Sequence, residues 1–220
     1  MKQFAVIGLG NFGSYLARRL SEKGHEVLAL DIQPKRVQEI KSHVSQAIIA
    51  DATDNEAMEA LGLKDLDAVI VCIGSSISQS ILATLVIKDL GVKMLYAKAI
   101  QEPHARALKK IGASEVLFPE RDLALSVAER LHNPNLIEYF PLIEGYSIVQ
   151  FAPPREFIGK SLAELDLINR YGIQVVAVKE FVPEQVNLIP TGKLIVKDSD
   201  LLILVGPNDA LEKIGPKKKR

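Results

Sequence analysis

Cysteine is almost missing from this sequence: Cys72 is the single one among 220 residues, and it sits in an apolar run. No internal disulfide can form, and a lone thiol suits a reducing compartment. Long hydrophobic runs are missing as well. No segment approaches the ~18–20 uninterrupted apolar residues that cross a bilayer, so a membrane role requires a partner. Met1-Lys2-Gln3 leads into an apolar stretch too short for a secretory signal, and the expectation is a cytoplasmic protein. Charge of one sign is lacking too. The 27 basic and 27 acidic residues cancel, so no global field recruits nucleic acid. Four of the basic residues are Lys217, Lys218, Lys219 and Arg220; 27 less these four leaves 23 against 27 acidic, a net of −4 for the body.

Constellations that carry catalysis are also missing. There is no Gly-x-Ser-x-Gly elbow and no His/Cys cluster at metal-ligand spacing. Of the four histidines, His25 falls in a turn on the wrong edge of the sheet, His43 follows a surface helix, His104 stands in the first turn of a helix and His132 ends one. Each reads as a solvated or terminal residue, and Cys72 reads as core. A dehydrogenase needs a proton donor near its nicotinamide. Without one the expectation is a protein whose output is binding, not an enzyme; the rival is an NAD-dependent oxidoreductase, which would turn NADH over.

What is present is a rhythm. Short apolar runs (Phe4 to Ile7, Glu26 to Leu30, Ala47 to Ala50, Ala68 to Ile73, Met94 to Ala97, Glu115 to Phe118) alternate with amphipathic stretches, many of them closed by glycine. Six such repeats predict one parallel sheet with helices on both faces and strand one at its centre. The rhythm changes after residue 118. Asp122 to Leu131 reads as a helix, stopped at Asn133-Pro134, and the join to the second domain falls between Asn133 and Tyr139. Strand-like runs at Ser147 to Phe151, Val175 to Val178 and Leu201 to Val205 then bracket a short helix at Ser161 to Arg170. The expected architecture is α/β: a Rossmann-like doubly wound parallel sheet over 1–118, a connecting crossover helix over 119–135, and a second, smaller α+β C-terminal domain over 136–220.

The strongest motif is Gly8-Leu9-Gly10-Asn11-Phe12-Gly13, which follows a buried strand and opens a helix. Gly8 permits the turn, Gly10 lets backbone approach a pyrophosphate, and Gly13 lets the helix pack on the sheet. Phosphates then meet the free N–H groups and positive dipole end of the helix, at Asn11 and Phe12. Asp31, followed by Ile32, ends the second strand 18 residues past Gly13. Its carboxylate can accept from ribose hydroxyls and would repel a 2′-phosphate, which favours NAD or an adenosine phosphate over NADP. Asp51-Ala52-Thr53 follows strand three, at the adenine edge, where Thr53 or Asp54 could also cap a helix. Ile73-Gly74 follows strand four. Past strand six, Glu120 could reach a phosphate only through a divalent cation; the alternative is an acid favoured by a helix dipole.

Phe4 to Gly13, Gly24 to Asp31, Ala50-Asp51-Ala52-Thr53, Val69 to Gly74 and Lys109-Lys110-Ile111-Gly112-Ala113 leading to Phe118-Pro119-Glu120 together resemble the regulatory subunits of bacterial Trk/Ktr-type potassium-uptake systems. The likeness extends into the second domain through Tyr146-Ser147-Ile148-Val149 and Tyr171-Gly172-Ile173. It implies RCK domains that pair as homodimers and assemble into a larger ring beneath a membrane potassium channel or transporter subunit, on the inner face of the membrane. It implies an adenine nucleotide (ADP, ATP or NAD(H)) in the glycine loop, and a divalent cation (Mg or Ca) held with the help of Glu120. The balanced charge, with no basic patch beyond the tail and no aromatic platform, leads to no nucleic-acid partner being expected. The basic tail reads as a solvated end, with anionic lipid or the channel as the alternative contact.

Two departures stand out. Members favouring ATP carry an arginine where this chain has Asn11, which shifts the expectation toward ADP or NAD(H); Lys35, Arg36 and Lys98 are the cations that could replace its charge. Members that bind cyclic di-AMP in the second domain carry an arginine and an asparagine where this chain has Ile168 and Gln174, which leaves that ligand open.

Overall fold

The computed structural model describes residues 1–214; the basic tail from Lys217 to Arg220 lies outside them. Two compact units divide between Glu120 and Arg121.

In the first unit, strands and helices alternate: β1 (Gln3–Ile7), α1 (Asn11–Glu22), β2 (Glu26–Asp31), α2 (Pro34–Ile40), β3 (Gln46–Ile49), α3 (Asn55–Ala60), β4 (Ala68–Val71), α4 (Ile77–Asp89), β5 (Leu95–Lys98), α5 (Glu102–Ile111) and β6 (Glu115–Leu117). The six strands form one sheet in the order β3-β2-β1-β4-β5-β6, every pairing parallel. Parallel strands need crossover helices, and those helices cover both faces. The side-chain alternation agrees. From β1 and β4, Ala5, Ile7, Val69 and Val71 face one layer, with Met58, Ala83 and Ile87. Val6 and Ile70 face the other, with Ala17, Val37 and Ile40. Each buried Val or Ile contributes roughly 1.5–3 kcal/mol relative to exposure. The sheet order places a topological switch at β1, where the chain leaves first for β2 and later for β4. Ligands of open α/β sheets bind at such a point, beyond the strands' carboxyl ends.

Helix α6 (Pro119–His132) carries the chain from the first unit into the second. There the elements are β7 (Leu136–Ile143), β8 (Tyr146–Phe151), α7 (Leu162–Leu165), α8 (Leu167–Tyr171), β9 (Gln174–Phe181), β10 (Glu184–Leu188), β11 (Leu201–Pro207) and α9 (Asn208–Lys213). The strands form an antiparallel sheet in the order β10-β9-β11-β8-β7. One face packs on Leu165, Leu167 and Leu211 from the helices.

Three expectations are corrected by the second unit. β7 occupies the stretch read as a join, because Glu144-Gly145, with Gly145 at φ +78, turns the chain into a hairpin with β8. β10 is a further strand, polar and at the sheet edge. The helix expected over Ser161 to Arg170 is broken by Asp166, which adopts φ +46 between α7 and α8 and accepts from Asn169 at 2.6 Å. The same unit holds a polar cluster on β9. Glu180, 5% exposed, accepts from the Lys197 ammonium, from Gln185 at 2.7 Å and from Asn187 at 2.5 Å.

Candidate functional site

The glycine loop joins β1 to α1. Gly8 lies at φ +93, and a Cβ on it would come within 3.0 Å of the Cys72 carbonyl carbon and the Ile73 nitrogen, where β4 ends. Gly13 is more tightly enclosed: a Cβ would stand 2.0 Å from the Gly8 carbonyl oxygen. Gly10 differs from both. Its φ is an ordinary −66, and a Cβ would meet nothing within 4 Å. Gly10 is the N-cap of α1, with no side chain to satisfy the first N–H groups of that helix. The loop thus presents open space in front of uncapped donors at a positive dipole end, an arrangement that suits an anion.

Asp31, only 5% exposed, sits beside this loop. It accepts from the N–H of Leu9 at 2.6 Å, from the N–H of Gln33 at 2.8 Å and from the Arg36 guanidinium at 3.3 Å. Its first role is to pin the glycine loop to the end of β2. A carboxylate has about four acceptor positions, so one is left for a ligand hydroxyl. Arg36 also offsets its charge, which weakens the repulsion of a 2′-phosphate expected from Asp31 alone. Beyond β3, Asp51 accepts from the backbone N–H of Thr53 at 2.9 Å and from its hydroxyl at 2.7 Å. These bonds, the backbone one foremost, hold the Asp51 carboxyl below the usual carboxylate range. Asp54, not Thr53, caps α3, accepting from Ala57 at 3.1 Å.

At the far side of β1, Lys98 ends β5 and is 8% exposed. Its ammonium donates to Glu120 at 2.5 Å and lies 5.7 Å from the centroid of the Phe12 ring. That hydrogen bond holds the Glu120 carboxyl below its usual range. Burial pushes the neighbouring Cys72 thiol up to about 12, with the Lys98 charge opposing the rise. His104 is 2% exposed, which corrects its reading as a solvated residue. Its Nδ1 accepts from the N–H of Ile100 at 3.4 Å, and burial lowers its pKa.

These elements enclose a cavity of about 290 Å³. Gly8, Gly10 and Phe12 line it from the loop; Asp31, Ile32 and Arg36 from beyond β2; Asp51, Ala52 and Thr53 from beyond β3; Ile73, Gly74 and Lys98 from the other half of the sheet. Three expected nucleotide-contact residues do not line it, and neither does Glu120, the expected cation ligand. Asn11 is exposed at the start of α1, Gly13 packs beneath the loop, and Lys35 is solvent-facing with its ammonium 4.0 Å from Glu39. Sequence reasoning missed Ile7, Gln33, Ala50, Cys72, Ser75 and Gln79 as lining residues. All lie at or just past strand carboxyl ends or in the first turn of α4, which is the signal that would have found them. Lys98 and Ser75, groups able to donate a proton, line the cavity. Among the described residues no group of three His, Cys, Asp or Glu could hold a metal ion, so a cation at Glu120 would need other ligands. In the second unit, Ile168 and Gln174 share a groove of about 350 Å³ with Asp166, Asn169 and Pro190.

Comparison with known proteins is consistent across the chain. Residues 4–119 match the TrkA-N domain and residues 146–217 the TrkA-C domain. The Ktr system potassium uptake protein C of Bacillus subtilis (strain 168) is 40% identical over 205 residues, covering 93% of this chain and 92% of that protein. The Ktr system potassium uptake protein A of Vibrio alginolyticus is 41% identical over 210 residues, covering 96% and 94%. Among solved structures, the GsuK channel bound to NAD superposes with a TM-score of 0.68 at 17% identity, over 99% of this chain and 40% of that one. This likeness is one of fold, and the chain spans about two fifths of that channel chain.

Proposed function

Because the chain belongs to the TrkA-domain family of Ktr and Trk potassium-uptake proteins, we propose that it is the cytoplasmic regulatory subunit of a potassium channel or transporter, gated by an adenine nucleotide that it binds without turnover. The observation that carries this reading is the cavity in front of Gly10, an uncapped helix start that an anion would complete, in a chain similar over most of its length to Ktr proteins. Gly8, Gly10, Asn11 and Phe12 would present backbone to the phosphates, with Gly13 keeping the helix close beneath them. The free acceptor position of Asp31 would take the ribose, flanked by Ile32 and Arg36. Asp51, Ala52 and Thr53 would meet the base, and Ile73, Gly74 and Lys98 the distal part of the ligand. Lys35 is left with an electrostatic role from the surface.

The nucleotide is ADP, ATP or NAD(H). A divalent cation, Mg or Ca, would be held between the phosphates and Glu120, supplying positive charge where phosphates of two subunits crowd together. The first unit is the nucleotide-binding lobe of an RCK domain and α6 its connecting helix. Homodimers join into a larger ring at the inner face of the membrane. Binding shifts the ring between states only if its affinity differs between them.

Calorimetry with ATP, ADP, NAD and NADH, with and without magnesium, tests the ligand, and co-purification with a Ktr membrane subunit tests the partner. Absence of binding by every adenine nucleotide refutes the reading. The presence of Lys98 and Ser75 in the cavity keeps an NAD-dependent oxidoreductase as the second reading, and sustained NADH consumption with carbonyl substrates would establish it instead.

A further inference from the structure

The proposed function leaves open how a loop bearing Asn11 senses the charge of its ligand, and the structure separates the three cations that could do so. Lys35 does not line the cavity, and its side chain is 89% exposed. Arg36 lines it at the ribose end, where its guanidinium stands 3.3 Å from Asp31 and balances that carboxylate. Lys98 lines the opposite end. Asp31 ends β2 and Lys98 ends β5, three strand intervals apart in the order β2-β1-β4-β5. At about 4.8 Å each, the intervals put roughly 14 Å between them. A nucleotide whose ribose is at Asp31 and whose first phosphates are at Gly10 must direct its remaining atoms toward Lys98.

The ammonium there is poised between two partners. It reaches Glu120, whose side chain is 62% exposed, and it stands 5.7 Å from the ring of Phe12 and 3.8 Å from the position a Cβ would take on Gly74. A buried ammonium stripped of its counter-ion is costly, so whatever displaces Glu120 must bring negative charge of its own. We propose that Lys98 is the specificity-determining residue of the cavity, reading the charge on the distal end of the ligand, and that Glu120 is an exchangeable counter-ion which a distal phosphate replaces. Ligands ending in phosphate gain this interaction. A neutral dihydronicotinamide gains none, and a cationic nicotinamide is repelled. This inference rests on the nucleotide reading above and specifies its ligand class, an adenine nucleotide with an anionic distal end.

The test is calorimetry of the full chain in chelator-containing buffer, with AMP, ATP, NADH and NAD, comparing wild type with Lys98→Met, Lys98→Arg and Glu120→Gln. In Lys98→Met, ATP affinity falls on the order of tenfold, the scale of one charge-assisted hydrogen bond. AMP affinity changes far less, and Lys98→Arg restores most of the loss. Glu120→Gln raises the ATP-to-AMP affinity ratio, because the competing carboxylate is gone. That result is opposite to what loss of a cation ligand would give in magnesium. An unchanged ATP-to-AMP ratio in Lys98→Met overturns the inference and leaves nucleotide binding intact. If Lys98→Met does not fold, the exposed Glu120→Gln decides, and an unchanged or lowered ratio there overturns it. If wild type binds none of the four ligands, the proposed function fails and this inference with it.

Discussion

Replacing Gly13 by alanine isolates what the glycine loop requires for folding. The added Cβ would stand 2.0 Å from the Gly8 carbonyl oxygen, 3.1 Å from its carbon and 3.3 Å from the Cys72 Cβ. A Cβ comes essentially never within 3.0 Å of another heavy atom, so the shortfall is about 1 Å. The two nearest obstructing atoms are backbone and the third is a Cβ fixed to it, held by the Gly8 N–H donating to Leu30 at 2.8 Å and the Cys72 N–H donating to Ile7 at 2.7 Å. No side chain can rotate away, and α1 must lift from the sheet as a whole. Overpacking of this kind costs about 3 kcal/mol or more, the upper part of the usual range. In a unit of 120 residues that lowers the Tm by roughly 10 °C. Gly10→Ala is the control. Its Cβ meets nothing, and the poorer cap and the stiffer unfolded chain offset each other to within about 1 kcal/mol. Yet the methyl enters the cavity, so Gly10→Ala keeps its Tm and loses adenine-nucleotide affinity. Circular dichroism melts of both variants, with ADP calorimetry on Gly10→Ala, check this. A Gly13→Ala chain melting within about 3 °C of wild type, well inside the expected drop, would refute the steric reasoning. So would a Gly10→Ala chain that melts early and binds normally.

The Cys72 thiol, pushed up to about 12 by burial, is protonated at pH 8; a disulfide reagent should label it in guanidinium and leave the native protein unmodified, and rapid native labelling would show that the end of β4 opens. Thr53→Val removes the hydroxyl that helps hold Asp51 down and keeps the backbone bond, so the Asp51 titration followed by NMR should move up part of the way toward the usual carboxylate range; an unmoved titration would mean that the hydroxyl contact does not form in solution. In the second unit the hydrogen bond between Lys197 and Glu180 lowers the pKa of Glu180 and raises that of Lys197. The Glu180 contribution to stability is therefore full above the usual carboxylate value of about 4.3 and fades as pH falls through its lowered pKa. The Lys197 contribution is full below about 10.4 and fades as pH rises through its raised pKa. Glu180→Gln should flatten the acid limb of the Tm-against-pH curve, and a limb parallel to wild type would refute the assignment.

The first unit was almost entirely legible because its sheet is parallel. Strands buried on both faces appear as unbroken apolar runs such as Ala68 to Ile73, and the helices between them as separate amphipathic stretches. The second unit was less legible because half of each strand faces outward. β7 carries Glu138 and Pro141 in its run, and β10 is the polar sequence Glu184 to Leu188; both lie at sheet edges, where side-chain patterning is weakly constrained. The break at Asp166 lies in a residue type that tolerates the left-handed region, which no apolar periodicity reveals. In the cavity, the glycines and Asp31 were legible by spacing. Whether a long cation points inward depends on packing, so Lys35, Arg36 and Lys98 looked equivalent in sequence and separate only in three dimensions. His104 was misread for the same reason: the first turn of a helix can face the core as well as the solvent.

Helices α3, α4 and α7 begin on Asp54, Ser76 and Ser161, each turning its own side chain back onto the first amides. α1 begins on a residue that has no side chain to turn. The missing lid is thus left for a visitor to supply, and occupancy and local order become one equilibrium. Amide exchange in the first turn of α1 should slow as the visitor's concentration rises, and folding stability should gain RT ln(1 + [L]/Kd), which raises the melting point with it. A purified sample would then report through its own thermal stability how much of its partner molecule is at hand.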